Sequence, residues 1–333
     1  MSVRVRLVEP LMYLHSSNDI SLEVLDEGTV SDEVLRGADL FLLSRSYSEK
    51  ALGLMNRIKF AGKTMIYDVD DYLLFAPTWT QFVLTQQMME CHEAQLKLAD
   101  CITVPHQALK ERLTQFEEKI VVIPSCVNLS KFPSRIGRLG PAKLVYTNLM
   151  DLKLIRARRS FLRAIIKFLE LHGTVGIDVF GDSFEEMARI PRLRYRGYLD
   201  YDQHKQIISS ENYVFALCPL GGEEDKEAMI HNKYKSNIKY LEYGAGMVAG
   251  IYSATPAYQG DVVNLRNGLI VRNSGDEWFE AMEMLVADEG LRENIVRNAY
   301  EDVASRYEVG VVAPRWRDLI ERVGRCGEVG RIG

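Results

Sequence analysis

Residues 213–258 read YVFALCPLGGEEDKEAMIHNKYKSNIKYLEYGAGMVAGIYSATPAY. The apolar run Tyr213–Leu217 predicts a buried strand that ends at Cys218-Pro219-Leu220. A polar loop follows, then a helical period over about Tyr234–Gly244, then a second apolar strand at Val248–Tyr252. At 100° per residue, Lys235, Lys239 and Glu242 fall within an arc of roughly 60°. Ile238, Leu241 and Ala245 occupy the adjoining arc, which must face the sheet. Two cations and a carboxylate then share one strip at the carboxyl edge of a parallel sheet. The helix N-terminus adds partial positive charge and N–H groups open to an anion. A diphosphate suits that end, and Glu242 further along suits the hydroxyls of a ribose. The same spacing also describes an exposed helix with a Lys–Lys repulsion and one Lys–Glu pair, worth only tenths of a kcal/mol.

Outward from this stretch, short β-branched runs alternate with amphipathic ones. The first part predicts strands at Val3–Val8, Asp39–Leu43, Thr64–Asp68, Cys101–Val104 and Ile120–Ile123, with helices over Thr80–Ala99 and near Gln107–Phe116. Residues 132–143, FPSRIGRLGPAK, read as a linker. The alternation restarts with strands at Leu144–Tyr146, Gly176–Phe180, Leu193–Tyr195 and Gly268–Val271 besides the two above. Helices are expected through Phe161–Leu171, Gln203–Ser209, Asp276–Ala287 and Gly290–Arg306, and a last one near Ala313–Val323 after a break at EVGVV. The pattern predicts two tandem Rossmann-like, doubly wound α/β domains with ligands in the cleft between them. The expected divisions are 1–137, 138–312, a C-terminal helix at 313–325 packing back on the first domain, and a flexible tail at 326–333.

The 333 residues carry 41 basic and 46 acidic side chains, a net charge of −5 with neutral His, which argues against a general nucleic-acid binder. Five cysteines form no CxxC pair, so structural zinc and a redox dithiol are not expected, and buried free thiols point to a reducing compartment, the cytoplasm. No apolar run reaches the ~18–20 residues of a membrane span, and MSVRVRLVEP reads as a strand rather than a leader. GxGxxG, GxSxG and GxxxxGK[ST] are all missing, which counts against NAD, FAD, serine-hydrolase and P-loop chemistry.

Read together, ALCPL, a variable loop, NKYKSNIKYLEYGA and the strand leading to ATPAY resemble the donor segment of GT-B glycosyltransferases of the retaining family 4. KTMIYDVDDYLLFAP is similar to the Y-D-x-D-D segment of that group, and ADCITVPHQALKERL with KIVVIPSCVNLSKF to its strand, helix, strand and domain crossover. The resemblance implies that Lys235, Ser236 and Lys239 meet the donor phosphates and Glu242 the ribose or nucleoside. An acidic residue that contacts the donor sugar in the wider family, eight positions before that Glu, is Tyr234 here; its role is absent or moved to the loop Glu223–Glu227. GAGMVAG replaces the usual Gly-x-Pro. Thr147, Asn148 and Lys153 are further candidates for donor phosphate, while Arg156, Arg158 and Arg159 fit either that site or a solvated basic face.

Asp68, Asp70 and Asp71 repel one another, so at least one is expected to titrate high or hold a cation. Their spacing also resembles the DxD metal motif of the GT-A class, and equally fits a strand-end turn that caps the next helix. The adopted reading places Asp70 or Asp71 on the acceptor side, binding hydroxyls or assisting proton removal. His15, in a loop after the first strand, is a candidate at the sugar. His92 reads as a core or domain-contact residue, and His106 as a helix N-terminal or cleft residue. The resulting expectation is a retaining, metal-independent glycosyltransferase with no resident cofactor, taking a UDP- or GDP-sugar and a carbohydrate or other hydroxyl acceptor. Alternatives are a phage-type DNA-base glycosyltransferase using the basic residues at 131–143 and 153–163, a catalytically lapsed GT-B binding protein, and a metal-dependent transferase.

Overall fold

Alternating apolar runs become parallel strands here because each is followed by a crossover helix that returns the chain to the same end. The computed structural model describes residues 2–76, 78, 82–132, 140–148, 158–183, 185–221 and 226–329, without the side chains of Asn148 and of 325–329. The first unit holds helices α1 (Glu9–Ser16) and α2 (Asp32–Gly37), then β1 (Leu40–Ser44), α3 (Glu49–Phe60), β2 (Thr64–Asp68), α4 (Gln86–Leu98), β3 (Cys101–Val104), α5 (Gln107–Arg112) and β4 (Ile120–Val122). Its parallel sheet has the order β1-β2-β3-β4. In the second unit β5 (Lys143–Asn148), α6 (Arg158–Leu171), β6 (Gly176–Gly181), β7 (Leu193–Gly197), α7 (Tyr201–Ser210) and β8 (Tyr213–Cys218) come first. They are followed by α8 (Lys226–Asn232), α9 (Ile238–Ala245), β9 (Ala249–Ser253), α10 (Pro256–Gln259), β10 (Leu269–Val271), α11 (Gly275–Ala287) and α12 (Glu289–Arg306). This sheet is also parallel, in the order β10-β9-β8-β5-β6-β7.

One face of the second sheet buries Phe161, Ile165 and Phe168 of α6 against Trp278, Met282 and Leu285 of α11. Its other face packs Ile208 of α7 with Tyr240 and Leu241 of α9 and Ala299 and Val303 of α12. Outbound and returning crossovers between the units are hydrogen-bonded together: Val127 N–H donates to Tyr307 O at 2.9 Å and Val309 N–H to Val127 O at 2.8 Å. Beyond them α13 (Val309–Val329) lays Val312, Trp316 and Leu319 against Leu7, Leu11, Leu14, Ile66 and Cys101 of the first unit. Among the described residues no helix is long and apolar enough to cross a membrane.

Three expectations are corrected. Val3–Val8 is helical rather than a strand: a π-turn over Arg4–Val8 runs into α1. The Leu7, Leu11 and Leu14 stripe, one turn apart, overrides the short alternation and faces α13. Pro10 brings no N–H to the helix, and the widened turn directly precedes it. The helix expected from Thr80 starts at Gln86, where the Thr85 hydroxyl caps it by accepting from Met88 N–H. The break expected at EVGVV is confined to Tyr307 and Glu308, which bridges Val127, and α13 is helical from Val309 rather than from Ala313.

Helical winding sends Arg6 inward. Its guanidinium is fully buried, bonds both carboxylate oxygens of Asp68 at the end of β2 and donates to Ile123 O beyond β4. Thr103 Oγ1 on β3 donates to the same carboxylate at 2.7 Å. Removing one partner leaves the other charged and unpaired in the core. Arg6→Met is therefore expected to lower unfolding free energy by about 3–5 kcal/mol in urea titration. The double variant Arg6→Met/Asp68→Leu should recover most of it, and a double variant no more stable than the single one would contradict this account.

Candidate functional site

In the second sheet the strand order reverses between β5 and β8. Crossovers run one way from β5 to β7 and return across the sheet to β8, so their carboxyl ends leave a crevice. The chain after β8 is held open by side chains. Leu220 N–H donates to Ser253 Oγ at 2.8 Å, Ser253 Oγ to Asn273 Oδ1 at 2.7 Å, and Asn273 Nδ2 to Leu220 O at 2.7 Å. Asn232 Nδ2 donates to Gly221 O at 2.8 Å. Residues 222–225, most of the acidic loop singled out above, lie outside the described residues.

The helix at this crevice is shorter than its sequence period predicts. It starts at Ile238, so Lys235 and Ser236 stand in the turn before it rather than on the strip with Lys239 and Glu242. Asn237, at the cap position, directs its Nδ2 to Asp261 Oδ2 at 2.7 Å instead of holding the helix by its side chain. The first-turn N–H groups of such a helix have no partners within it. Lys239 Nζ lies 2.9 Å from Glu242 Oε2, one turn on. Thr147, near the end of β5, shares a hydrogen bond with the hydroxyl of Tyr243 on α9 at 3.0 Å. Asn148 ends β5, and Lys153 lies outside the described residues. Of the basic residues at 131–143 and 153–163, Lys131 pairs with Glu9, Lys143 with Glu211 and Arg158 with Glu186.

Glu242 is 1% exposed. Burial alone would raise its carboxyl, but Lys239 and then His204 pull it below the usual range. His204, on α7, is 3% exposed, and burial lowers its imidazole to about 4 against the opposing pull of Glu242. Cys218, where β8 ends, is pushed well above the ordinary thiol range by burial. Among the described residues, Glu242 Oε1, both ring nitrogens of His204 and the Tyr201 hydroxyl are buried without a hydrogen-bond partner. The sequence reading overlooked Tyr201 and His204; the only signal was a histidine one turn before Ile208 on an apolar helix face.

On the first sheet, arginines divide the acidic triplet. Asp68 belongs to Arg6, as described, and Asp70 pairs with Arg45 Nε and is 7% exposed. Burial works against the charge of Arg45, yet Asp70 and Asp71 hold its guanidinium above its ordinary range. Asp70 is thus held by Arg45 in this structure. Asp71 is half-buried beside Arg45 and accepts from Tyr72 N–H at 3.1 Å. Among the described residues no group of three or more His, Cys, Asp or Glu is placed to hold a metal ion.

Tyr72 then reaches the other unit. Its ring lies 5.3 Å from that of Tyr234, which packs with the first unit's core. Arg112 sits 4.6 Å over the Tyr72 ring, and His106 Nε2 is 3.1 Å from Tyr234 O. His106 fulfils both of its alternatives, because its Nδ1 also caps α5 by accepting from Leu109 N–H. Glu227 of α8 accepts from Thr78 N–H and Oγ1, each at 2.8 Å. Asp71 and Lys235 are each one residue from a tyrosine of this contact. His15 does not join them: it is exposed on α1 with Nδ1 3.1 Å from Ile20 O. His92 is a core residue, its Nδ1 3.1 Å from the Tyr67 hydroxyl.

No protein-family model matches the chain, and no curated protein matches it by sequence. Among solved structures it is similar to Anabaena HepE in complex with UDP-glucose, at 14% identity and a TM-score of 0.66, covering 94% of this chain and 88% of HepE. It is similar to the pneumococcal O-GlcNAc transferase GtfA in complex with UDP and GlcNAc, at 16% identity and a TM-score of 0.62, covering 96% of this chain and 60% of GtfA. Sucrose-phosphate synthase from Thermosynechococcus elongatus follows at 15% identity and a TM-score of 0.64, covering 87% of this chain and 75% of that one. These likenesses assign the fold, GT-B, with two Rossmann-like units in tandem.

His92, like His204, is lowered by burial to about 4. The unfolded chain takes up a proton at each near pH 6.5, whereas the folded chain resists until about 4. Stability present above pH 6.5 is therefore lost as pH falls, by about 3 kcal/mol per histidine at pH 4. Urea titrations at pH 7, 5.5 and 4 should show this loss, with a smaller slope in His204→Phe. An unchanged slope in that variant would count against a buried, neutral His204.

Proposed function

We propose that the chain is a retaining, metal-independent glycosyltransferase of the family-4 type. It takes a nucleoside-diphosphate sugar, UDP- or GDP-linked, at α9, and passes the sugar to a hydroxyl of a carbohydrate or similar acceptor held from the β2 side. The observation that carries this reading is the Tyr72–Tyr234 contact, which joins the segment after β2, holding Asp71, to the segment before α9, holding Lys235. Its support from outside the chain is that HepE and GtfA, which share the fold, were each solved with UDP or a UDP-sugar.

In this mechanism the bond between the anomeric carbon and the diphosphate breaks as the acceptor oxygen bonds to that carbon, and the acceptor hydroxyl's proton passes to an oxygen of the departing diphosphate. Negative charge grows on the departing diphosphate. Lys239, with Lys235, Ser236 and the N-terminal N–H groups of α9, stabilises that charge where it develops. Metal independence follows from this supply of fixed positive charge, while Asp68 and Asp70 are already matched by arginines. Asp71 orients the acceptor hydroxyl. The buried thiols of Cys91, Cys101, Cys126 and Cys218 suit a reducing cytoplasm.

A thermal-shift screen against UDP, GDP, ADP, CMP and dTDP sugars should raise the Tm with one nucleotide class, by mass action. With that donor, Lys239→Ala is expected to lower kcat about 10²–10³-fold, as for loss of another transition-state charge donor, while the apo Tm stays near that of the parent. EDTA should leave the rate unchanged. Unaltered kinetics in Lys239→Ala would remove this helix from the mechanism, and loss of turnover in EDTA would remove its metal independence.

A further inference from the structure

Residues 233–237 join α8 to α9, and Lys235, Ser236 and Asn237 among them belong to no regular element. A segment of this kind keeps its place through bonds made to it from outside. Within the second unit, Lys235 N–H donates to Asn232 O at 3.2 Å and Asn237 Nδ2 to Asp261 Oδ2 at 2.7 Å. Further holds come from the first unit and fall on Tyr234. Its ring, 8% exposed, is 5.3 Å from that of Tyr72, and its carbonyl oxygen is 3.1 Å from His106 Nε2.

His106 meets two demands at once. Its Nδ1 accepts from Leu109 N–H at 3.2 Å and so caps α5, which leaves the proton of a neutral imidazole on Nε2. Nε2 then donates, and Tyr234 O is the acceptor within its reach. Burial holds this imidazole below its usual range and so neutral at pH 7, while the backbone of Tyr234 and of Lys235 opposes the shift. The two ring nitrogens stand at different distances from the main chain, so different amides reproduce them. His106→Asn puts an acceptor oxygen near the place of Nδ1, and His106→Gln puts an N–H donor near that of Nε2.

We propose that His106 is a positioning residue of the donor site: a first-unit side chain that holds the Tyr234 carbonyl and thereby fixes Lys235 and Ser236 where they receive the diphosphate. This rests on the nucleotide-sugar reading, in which those two residues meet the donor phosphates. It adds that the donor site is complete only with the first unit docked on it, and that the cap residue of α5 sets donor affinity without touching the ligand.

Hydrogen exchange of the full chain without ligand reads the tie, and calorimetric titration with UDP and with GDP reads its effect on binding. In His106→Asn the amides over 233–237 should exchange faster, while those of α5 and the apo Tm stay as in the parent. Its affinity for the nucleotide that the parent binds should fall about 3–10-fold, as for one lost hydrogen bond. His106→Gln should keep the parent's exchange over 233–237 and the parent's affinity, yet lose protection in α5 and lower the Tm. His106→Ala should show both losses. Unchanged exchange over 233–237 in His106→Asn would overturn the proposal, as would an affinity that falls equally in His106→Asn and His106→Gln. Faster exchange with unaltered affinity would overturn it as well, leaving a purely structural bond and the nucleotide-sugar reading in place. A parent that binds neither nucleotide removes both readings.

Discussion

The contact of Tyr72 with Tyr234, ring centroids 5.3 Å apart, ties the segment after the first sheet's β2 to the segment before α9 of the second. Each sheet alone offers a crevice at its carboxyl edge, which is common to parallel α/β sheets and specific to no chemistry. One residue before Tyr72 is Asp71, and one after Tyr234 is Lys235, so the stack joins an acidic segment to a basic one. His106 adds a polar tie, and because burial keeps its imidazole below the usual range it stays neutral at pH 7, when it can donate to or accept from its neighbours without adding charge to the gap.

Charge in this interior is managed by pairing. Asp68 and Asp70 would repel each other at the end of β2, yet Arg6 and Arg45 reach in from different elements and neutralise them separately. At the second sheet Lys239 does the same for Glu242. Pairs of this kind add little net stability over apolar substitutes, but they fix directions, and the surrounding backbone can then present the remaining groups. Bracing after β8 by Ser253, Asn273 and Asn232 follows the same logic with neutral groups: three side chains hold the loop where helix and sheet would otherwise leave carbonyls and N–H groups unpaired.

Much of the architecture is legible in residue order alone. Thr64–Asp68 and Cys101–Val104 read as strands with the bounds they have in the structure, because each is a short β-branched or aromatic run closed by polar residues. The N-terminus misled because VRVRLV alternates over six residues while Leu7, Leu11 and Leu14 repeat over eight, and only packing against α13 decides between the two periods. Lys235 was assigned to the helix by extrapolating its period backward. Asn237 spends its side chain on Asp261, and the helix begins after it. Arg6 and Arg45 were invisible as partners of the acidic triplet, since neither is near it in sequence and no local pattern links them. The same holds for His204 and Glu242, which become neighbours only through the packing of two parallel helices.

α13 has a consequence for how the protein is made. Ile66, Cys101 and Ile123 of the first unit are covered by Val309, Val312, Ala313 and Trp316, which are synthesised after the whole of the second unit. On the order of 10–40 s of synthesis separate Ile123 from Val309. Meanwhile the second unit, whose apolar clusters draw on one unbroken stretch of chain, has all it needs to fold. The first unit is thus closed only after the second has been made, and its uncovered strands are what a nascent-chain chaperone would meet.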